Sequence, residues 1–151
     1  MSTVIAIRRT YKMSGVLNPL FNPGKIMPPI SPQAIVQAQL DAYNAKDIDA
    51  LLATYAPDAE QYQLHGDLLA RGHEQMRPRF LTRFAEPDLH ARLLSRTVME
   101  NIVIDFELIT RNFPEGAGTM EMLCVYEIAG QRIAKASFAV GKTTLAAASQ
   151  S

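Results

Sequence analysis

Cysteine is nearly absent from this chain of 151 residues, which holds only Cys124. A single thiol cannot close an internal disulfide, so the fold must rest on its core, and a cytoplasmic setting is expected. No apolar run approaches the ~18 residues that a membrane helix requires, so no membrane association is expected. An excess of one charge is also missing. Fifteen Lys and Arg balance fifteen Asp and Glu, which removes the electrostatic footprint of a nucleic-acid binder. His65, His73 and His90 do not stand at metal-ligand spacing, and there is no HExxH. The segment GHEQMR (72–77) has one histidine and reads as a solvated helix start. No glycine-rich phosphate loop and no internal repeat occur. No metal and no cofactor are expected.

The chain itself is long enough for one domain with a real core, and 48% of it is apolar. Residues 1–31 read as an extended arm. Arg8-Arg9 resembles the start of an export signal, but Asn18, Pro19, Asn22, Pro23, Gly24 and Lys25 interrupt the apolar stretch that would have to follow. Val16, Leu17, Leu20, Phe21 and Ile26 could dock this arm on a neighbouring subunit. The folded domain is expected over 32–141 and a frayed tail over 142–151.

Within the domain the period of the apolar residues changes once. Ser31-Pro32 supplies a hydroxyl cap followed by proline at the first helical position. Ile35, Val36, Leu40 and Tyr43 then recur at helical steps, predicting a helix over 32–45. Asp47 caps a second, predicted over 48–56, and Pro57-Asp58 ends it. A short polar strand follows at 60–65. Gly72 opens a third helix, over 73–85, where Met76, Phe80 and Phe84 share a face; Pro78 implies a late start or a kink. From Leu89 onward the period is that of strands: 89–99, 102–113, 118–128 and 132–140. The connections are too short for helical crossovers, so these strands are sequential antiparallel neighbours. Helices first and a meander after predict an α+β fold.

The residues AIVQAQLDAYN (34–44) run directly into AKDIDALLATYAPDAE (45–60), with Gly66, the Gly72 helix start and the Gly130 turn after them. In these features the chain resembles the nuclear transport factor 2-like superfamily, in particular the bacterial ketosteroid isomerases and SnoaL-like polyketide cyclases, over roughly 32–141. The resemblance implies a conical fold of three N-terminal helices on a curved, mostly antiparallel sheet around a deep pocket. It implies equally that the isomerase residues are gone. The isomerases' oxyanion tyrosine on the first helix matches Gln39. Their catalytic aspartate matches Gln63, their protonated aspartate matches Cys124, and a supporting tyrosine matches Phe80. Gln63 cannot take a proton at neutral pH, so the isomerase mechanism is not carried over.

The strand 102–113 holds the most unusual pattern. Asp105, Glu107, Ile109 and Arg111 form one alternating row, and Ile104, Phe106, Leu108 and Thr110 form the other. Alternation alone fits two arrangements: the charged row in solvent over an apolar core, or the charged row inside a polar pocket. The family register turns the charged row inward. Glu107 would then be an acid or base, and Arg111 would hold an anionic oxygen and pair with Glu107 through a ligand or water. Asp105 completes the catalytic candidates. Gln39, Gln63, His65, Phe80, Met122, Cys124, Tyr126 and Phe138 are the ligand-binding candidates, with Met76, Met120 and Val140 as further apolar wall. Cys124, with no basic sequence neighbour, reads as an inert thiol.

Three functions compete. The first is an enzyme moving a proton on a small hydrophobic carbonyl compound, of isomerase, cyclase, dehydratase or hydratase type. The second is a non-catalytic binder of such compounds. The third resembles the limonene epoxide hydrolases, whose Asp–Arg–Asp set is loosely matched by Asp105, Glu107 and Arg111. The expected partners are a small hydrophobic molecule and a second copy of the chain, as a homodimer through the outer sheet face.

Overall fold

The computed structural model of the chain describes residues 28–146. The docking role expected for Val16 to Ile26 lies outside the described residues. Ser31 caps the first helix, α1 (Pro32–Ala45), by accepting a hydrogen bond from the Ala34 N–H at 3.1 Å. Lys46 ends it in a left-handed conformation. Asp47 caps α2 (Ile48–Ala53) by accepting from the Ala50 N–H. Strands β1 (Tyr55–Gln63) and β2 (Leu68–Arg71) lead to α3 (Gly72–Phe84), and β3 (His90–Met99), β4 (Ile102–Phe113), β5 (Gly116–Ala129) and β6 (Arg132–Leu145) complete the domain. Gly72 has a φ of +76°, a conformation that glycine reaches without steric cost, and this lets α3 start directly at the end of β2.

All six strands form one sheet in the order β2-β1-β6-β5-β4-β3. Every neighbouring pair is antiparallel except β1 and β6, which run parallel. The result is the expected α+β architecture with the expected meander. Five details differ from the sequence reading. The second helix stops at Ala53, because Thr54 folds back on the Leu51 carbonyl and its own carbonyl accepts from the Ile133 N–H at 2.8 Å. That bond draws the chain into the sheet at Tyr55, so Pro57-Asp58 lies within a strand. β2 was not expected, nor was the parallel pairing. The third helix starts at Gly72 and runs through Pro78. There the ring forgoes the bond its N–H would have given. Finally, β6 runs on to Leu145 rather than fraying from 142, because Thr143, Thr144 and Leu145 pair with Met120, Thr119 and Gly118 of β5.

The core lies between the helices and one face of the sheet. Ile35, Val36 and Leu40 of α1, Leu51 and Leu52 of α2, and Met76 and Phe84 of α3 meet Ala91, Val103, Ile109, Tyr126, Ile133 and Ala136. On β4 the row Val103, Asp105, Glu107, Ile109 is buried and the row Ile104, Phe106, Leu108, Thr110 is half-exposed. The charged row therefore faces the helices. Asp105 is completely buried. Arg96 of β3, directly across the register, grips both its oxygens, Nε to Oδ1 at 2.7 Å and Nη2 to Oδ2 at 2.9 Å. The third arm of the guanidinium reaches Gln37 of α1 at 2.8 Å. Sheet and helix are tied at this point by a fully bonded ion pair. Breaking such a pair from one side strands a buried charge, which costs about 3–5 kcal/mol. Arg96→Leu should therefore lower the unfolding free energy by that amount in urea titrations at neutral pH. The double change Arg96→Met with Asp105→Leu should cost less than either single change. A loss below about 1 kcal/mol for Arg96→Leu would show that the pair does not hold the sheet to α1.

Candidate functional site

A cavity of about 330 Å³ opens between the inward sheet face and helices α1 and α3. Its two ends differ. The lining residues Gln39, Tyr55, Gln61, Glu107, Cys124 and Tyr126 are buried and form the inner end. Gln63, Arg79 and Val140 are solvent-exposed and mark the mouth. Phe80, Met120, Met122 and Phe138 line the walls between. Phe80 is steadied by edge contacts with Tyr43 and tilted packing on Tyr55 and Phe84. Tyr126 meets Phe138 edge to face.

Strand parity explains the inner end. Glu107 pairs across β4–β5 with Met122, and Asp105 with Cys124; Cys124 in turn pairs with Phe138 of β6. Gln61 and Gln63 of β1 pair with Ala136 and Phe138. Alternate residues of four adjacent strands thus converge on one space. Glu107 is 4% exposed and has no ion-pair partner among the described residues. Burial raises its pKa to about 7; the charge on Asp105 adds to the rise, while Arg96 and a hydrogen bond from the Cys124 thiol oppose it. Burial likewise pushes the Cys124 thiol well up, so it stays protonated. The phenols of Tyr43, Tyr55 and Tyr126 are pushed up by the same cause and remain neutral O–H donors. Tyr126 donates to Gln39 Oε1 at 3.4 Å, and the Gln61 amide donates to the Tyr55 hydroxyl at 3.5 Å. Both bonds are long for their types.

The sequence-predicted residues distribute unevenly. Gln39, Gln63, Phe80, Glu107, Arg111, Met122, Cys124, Tyr126 and Phe138 all line the cavity. Asp105 does not. It shares the inward row, but the helices and Arg96 enclose it, so it acts on the site only through its charge. His65 does not either. β1 ends at Gln63, and His65 sits exposed in the turn with a φ of +55°, where strand parity no longer applies. Arg111 lines the cavity but is not the partner of Glu107. Its Nε and Nη2 hold the Glu86 carboxylate at 2.7 and 2.9 Å. Met76 is fully buried in the core rather than part of the wall.

Several lining residues were not singled out for the pocket from sequence. Gln61 could have been found, since it lies two residues before Gln63 on the same strand face. Tyr55 was hidden by the expectation that its helix continued. Arg79 and Arg83 flank the apolar stripe 76–80–84 of α3, and their like charges one turn apart were the available signal. Among the described residues no cluster of His, Cys, Asp and Glu is arranged to hold a metal ion, and no helix is long and apolar enough to cross a membrane.

Known structures share this architecture. An uncharacterised cystatin-fold protein from Novosphingobium aromaticivorans is 25% identical, with a TM-score of 0.68 over 73% of this chain and 98% of that one. A polyketide cyclase candidate from Sinorhizobium meliloti is also 25% identical, with a TM-score of 0.58 over 73% of this chain and all of that one, 100%. An NTF2-like protein of unknown function from Burkholderia pseudomallei, 14% identical, has the same fold, with a TM-score of 0.64 over 74% and 92% of the two chains. No curated protein matches the sequence significantly. The family model of the SnoaL-like domain matches residues 36–136, so the chain belongs to the SnoaL-like family, with an NTF2-like fold.

Proposed function

We propose that this protein is an enzyme that moves a proton on a small hydrophobic carbonyl compound, with Glu107 as the base. The observation that carries the reading is a carboxyl group buried on the cavity wall, with no ion-pair partner among the described residues and with its pKa raised to about 7. A general base works best when its pKa lies near the working pH. The Glu107 carboxylate would take a proton from the carbon next to the carbonyl. The electron pair left behind would move to the carbonyl oxygen as an enolate. The neutral hydroxyls of Tyr126 and Tyr55, whose present bonds are long, are the donors available to that oxygen. Protonated Glu107 would return the proton at another carbon, giving isomerisation, or the enolate carbon would attack a second carbonyl within the same molecule and the resulting alkoxide would take the proton from Glu107, giving ring closure. The likeness to the Sinorhizobium cyclase candidate supports the second outcome. The epoxide-hydrolase set loses support, because Arg96 encloses Asp105 away from the cavity and Glu86 holds Arg111. A non-catalytic binder would use the same walls without needing Glu107.

The expected partner is a second copy of the chain on the outer sheet face. Ile104, Phe106, Leu108, Leu123 and Val125 there are half-exposed, a continuous apolar surface. Phe106→Glu should convert a dimer to monomer in sedimentation velocity, with an unchanged circular dichroism spectrum. A wild-type monomer at all concentrations would refute this.

Two measurements test Glu107. In heavy water, the protein should catalyse α-deuterium exchange into members of a panel of cyclic ketones, read by proton NMR. The rate should rise with pH through about 7, and Glu107→Gln should lower it by about 10²-fold or more while ketone binding persists. Binding without exchange would identify a binder. The second measurement is stability. The folded pKa is raised above the unfolded one, so the folded state binds the proton more tightly. The stability this gives is full below about 4.5 and is lost as pH rises through about 7. Glu107→Gln should thus stabilise the fold relative to wild type by about 2–3 kcal/mol more at pH 8 than at pH 4.5. An equal difference at both pH values would show that Glu107 is not desolvated.

A further inference from the structure

The mouth of the cavity carries more positive charge than the fold uses. Three arginines line the cavity: Arg79 and Arg83 on α3, and Arg111 on β4. Arg79 and Arg83 stand one helical turn apart, where like charges repel and weaken a helix. Among the described residues one carboxylate serves this group. Glu86 accepts Nη1 of Arg83 at 2.9 Å and both Nε and Nη2 of Arg111. It also accepts the Asn112 N–H at 2.8 Å, so its acceptor positions are full. Arg77, on the other side of α3, is already paired with Asp49. Arg79 has no hydrogen-bond or ion-pair partner among the described residues and is exposed at the mouth. Three guanidinium charges against one carboxylate leave about two positive charges where a ligand would enter.

We infer that the ligand carries a carboxylate that Arg79 and Arg83 hold at the cavity mouth, so that the substrate class is a hydrophobic oxo acid with its carbonyl directed inward. This rests on the reading of the cavity as the site for a small carbonyl compound. The orientation follows from the two ends. The inner end offers neutral phenols and amides beside Glu107, and a second carboxylate there would be desolvated without a cation and would oppose ionisation of Glu107. The mouth offers the planar forks that hold carboxylates in pairs of bonds. The Met120, Met122 and Phe138 walls lie between them and suit the apolar body.

The test uses two probes of one shape, 2-naphthylacetate and the uncharged 2-naphthylacetamide. The protein has no tryptophan, so naphthalene emission reports binding directly. The wild type should bind the carboxylate about tenfold more tightly than the amide, a difference of about 1.4 kcal/mol. Added salt should reduce that preference. Arg79→Leu should remove most of it while leaving amide binding within about twofold, and Arg79→Lys should retain part of it. Arg79 is exposed and has no partner among the described residues, so Arg79→Lys should melt as the wild type does, and Arg79→Leu, which relieves the repulsion with Arg83, should melt no lower. Equal affinity of the wild type for both probes would overturn the inference and leave the cavity reading intact. Weakening of both probes alike by Arg79→Leu would overturn it too. Failure of both probes to bind would sink the cavity reading with it.

Discussion

The buried pair of Arg96 and Asp105 governs the rest of this structure. β4 turns two carboxylates inward, two residues apart on one face, under a layer of helices. An interior of this kind does not hold two unpaired charges. Arg96 comes from the neighbouring strand at the matching register position and satisfies one of them completely. It then has one arm left for α1, through Gln37, which binds the helix layer to the sheet edge. The second carboxylate, Glu107, receives no such partner among the described residues. Its own burial, and then its neighbour's charge, hold it partly protonated near neutral pH. One ion pair thus ties the helices to the sheet, while burial above all keeps the proton on the carboxyl group beside it.

Glu86 performs a similar service at the other end of the cavity. It follows the last turn of α3, where its carboxylate gathers Arg83, Arg111 and the Asn112 N–H, and its carbonyl accepts the Lys46 ammonium at 2.7 Å. The end of α3, the end of α1 and the end of β4 meet on this one residue. Arg111 is consequently committed to architecture, and its guanidinium also lies 5.5 Å from the Phe113 ring. The charge left over at the mouth belongs to α3 rather than to the strand.

The elements were readable where local chemistry decides them. Ser31-Pro32 and Asp47 cap helices as their side chains suggest, and the change of period at Leu89 marks the meander. Errors arose where a distant strand overruled a local signal. Thr54 and Tyr55 read as the end of a helix, and only the bond from Ile133 makes Tyr55 the start of β1. His65 shared the parity of Gln63 until the turn took over. Asp105 and Glu107 were indistinguishable in sequence, because the pattern cannot say which of two carboxylates on one face will find a cation.

The sequence by itself determined the helix caps, the four long strands and the alternation that puts Asp105, Glu107, Ile109 and Arg111 on one side. These depend on neighbours within a few residues, whose geometry the chain carries with it. Only the tertiary structure decided which side that was, since alternation is symmetrical until helices cover one face. It also decided the partners: Arg96 for Asp105, Glu86 for Arg111, and, among the described residues, no ion-pair partner for Glu107 or Arg79. Those assignments join residues far apart in the chain, and electrostatic pairing depends on distance in space, which one-dimensional spacing does not contain.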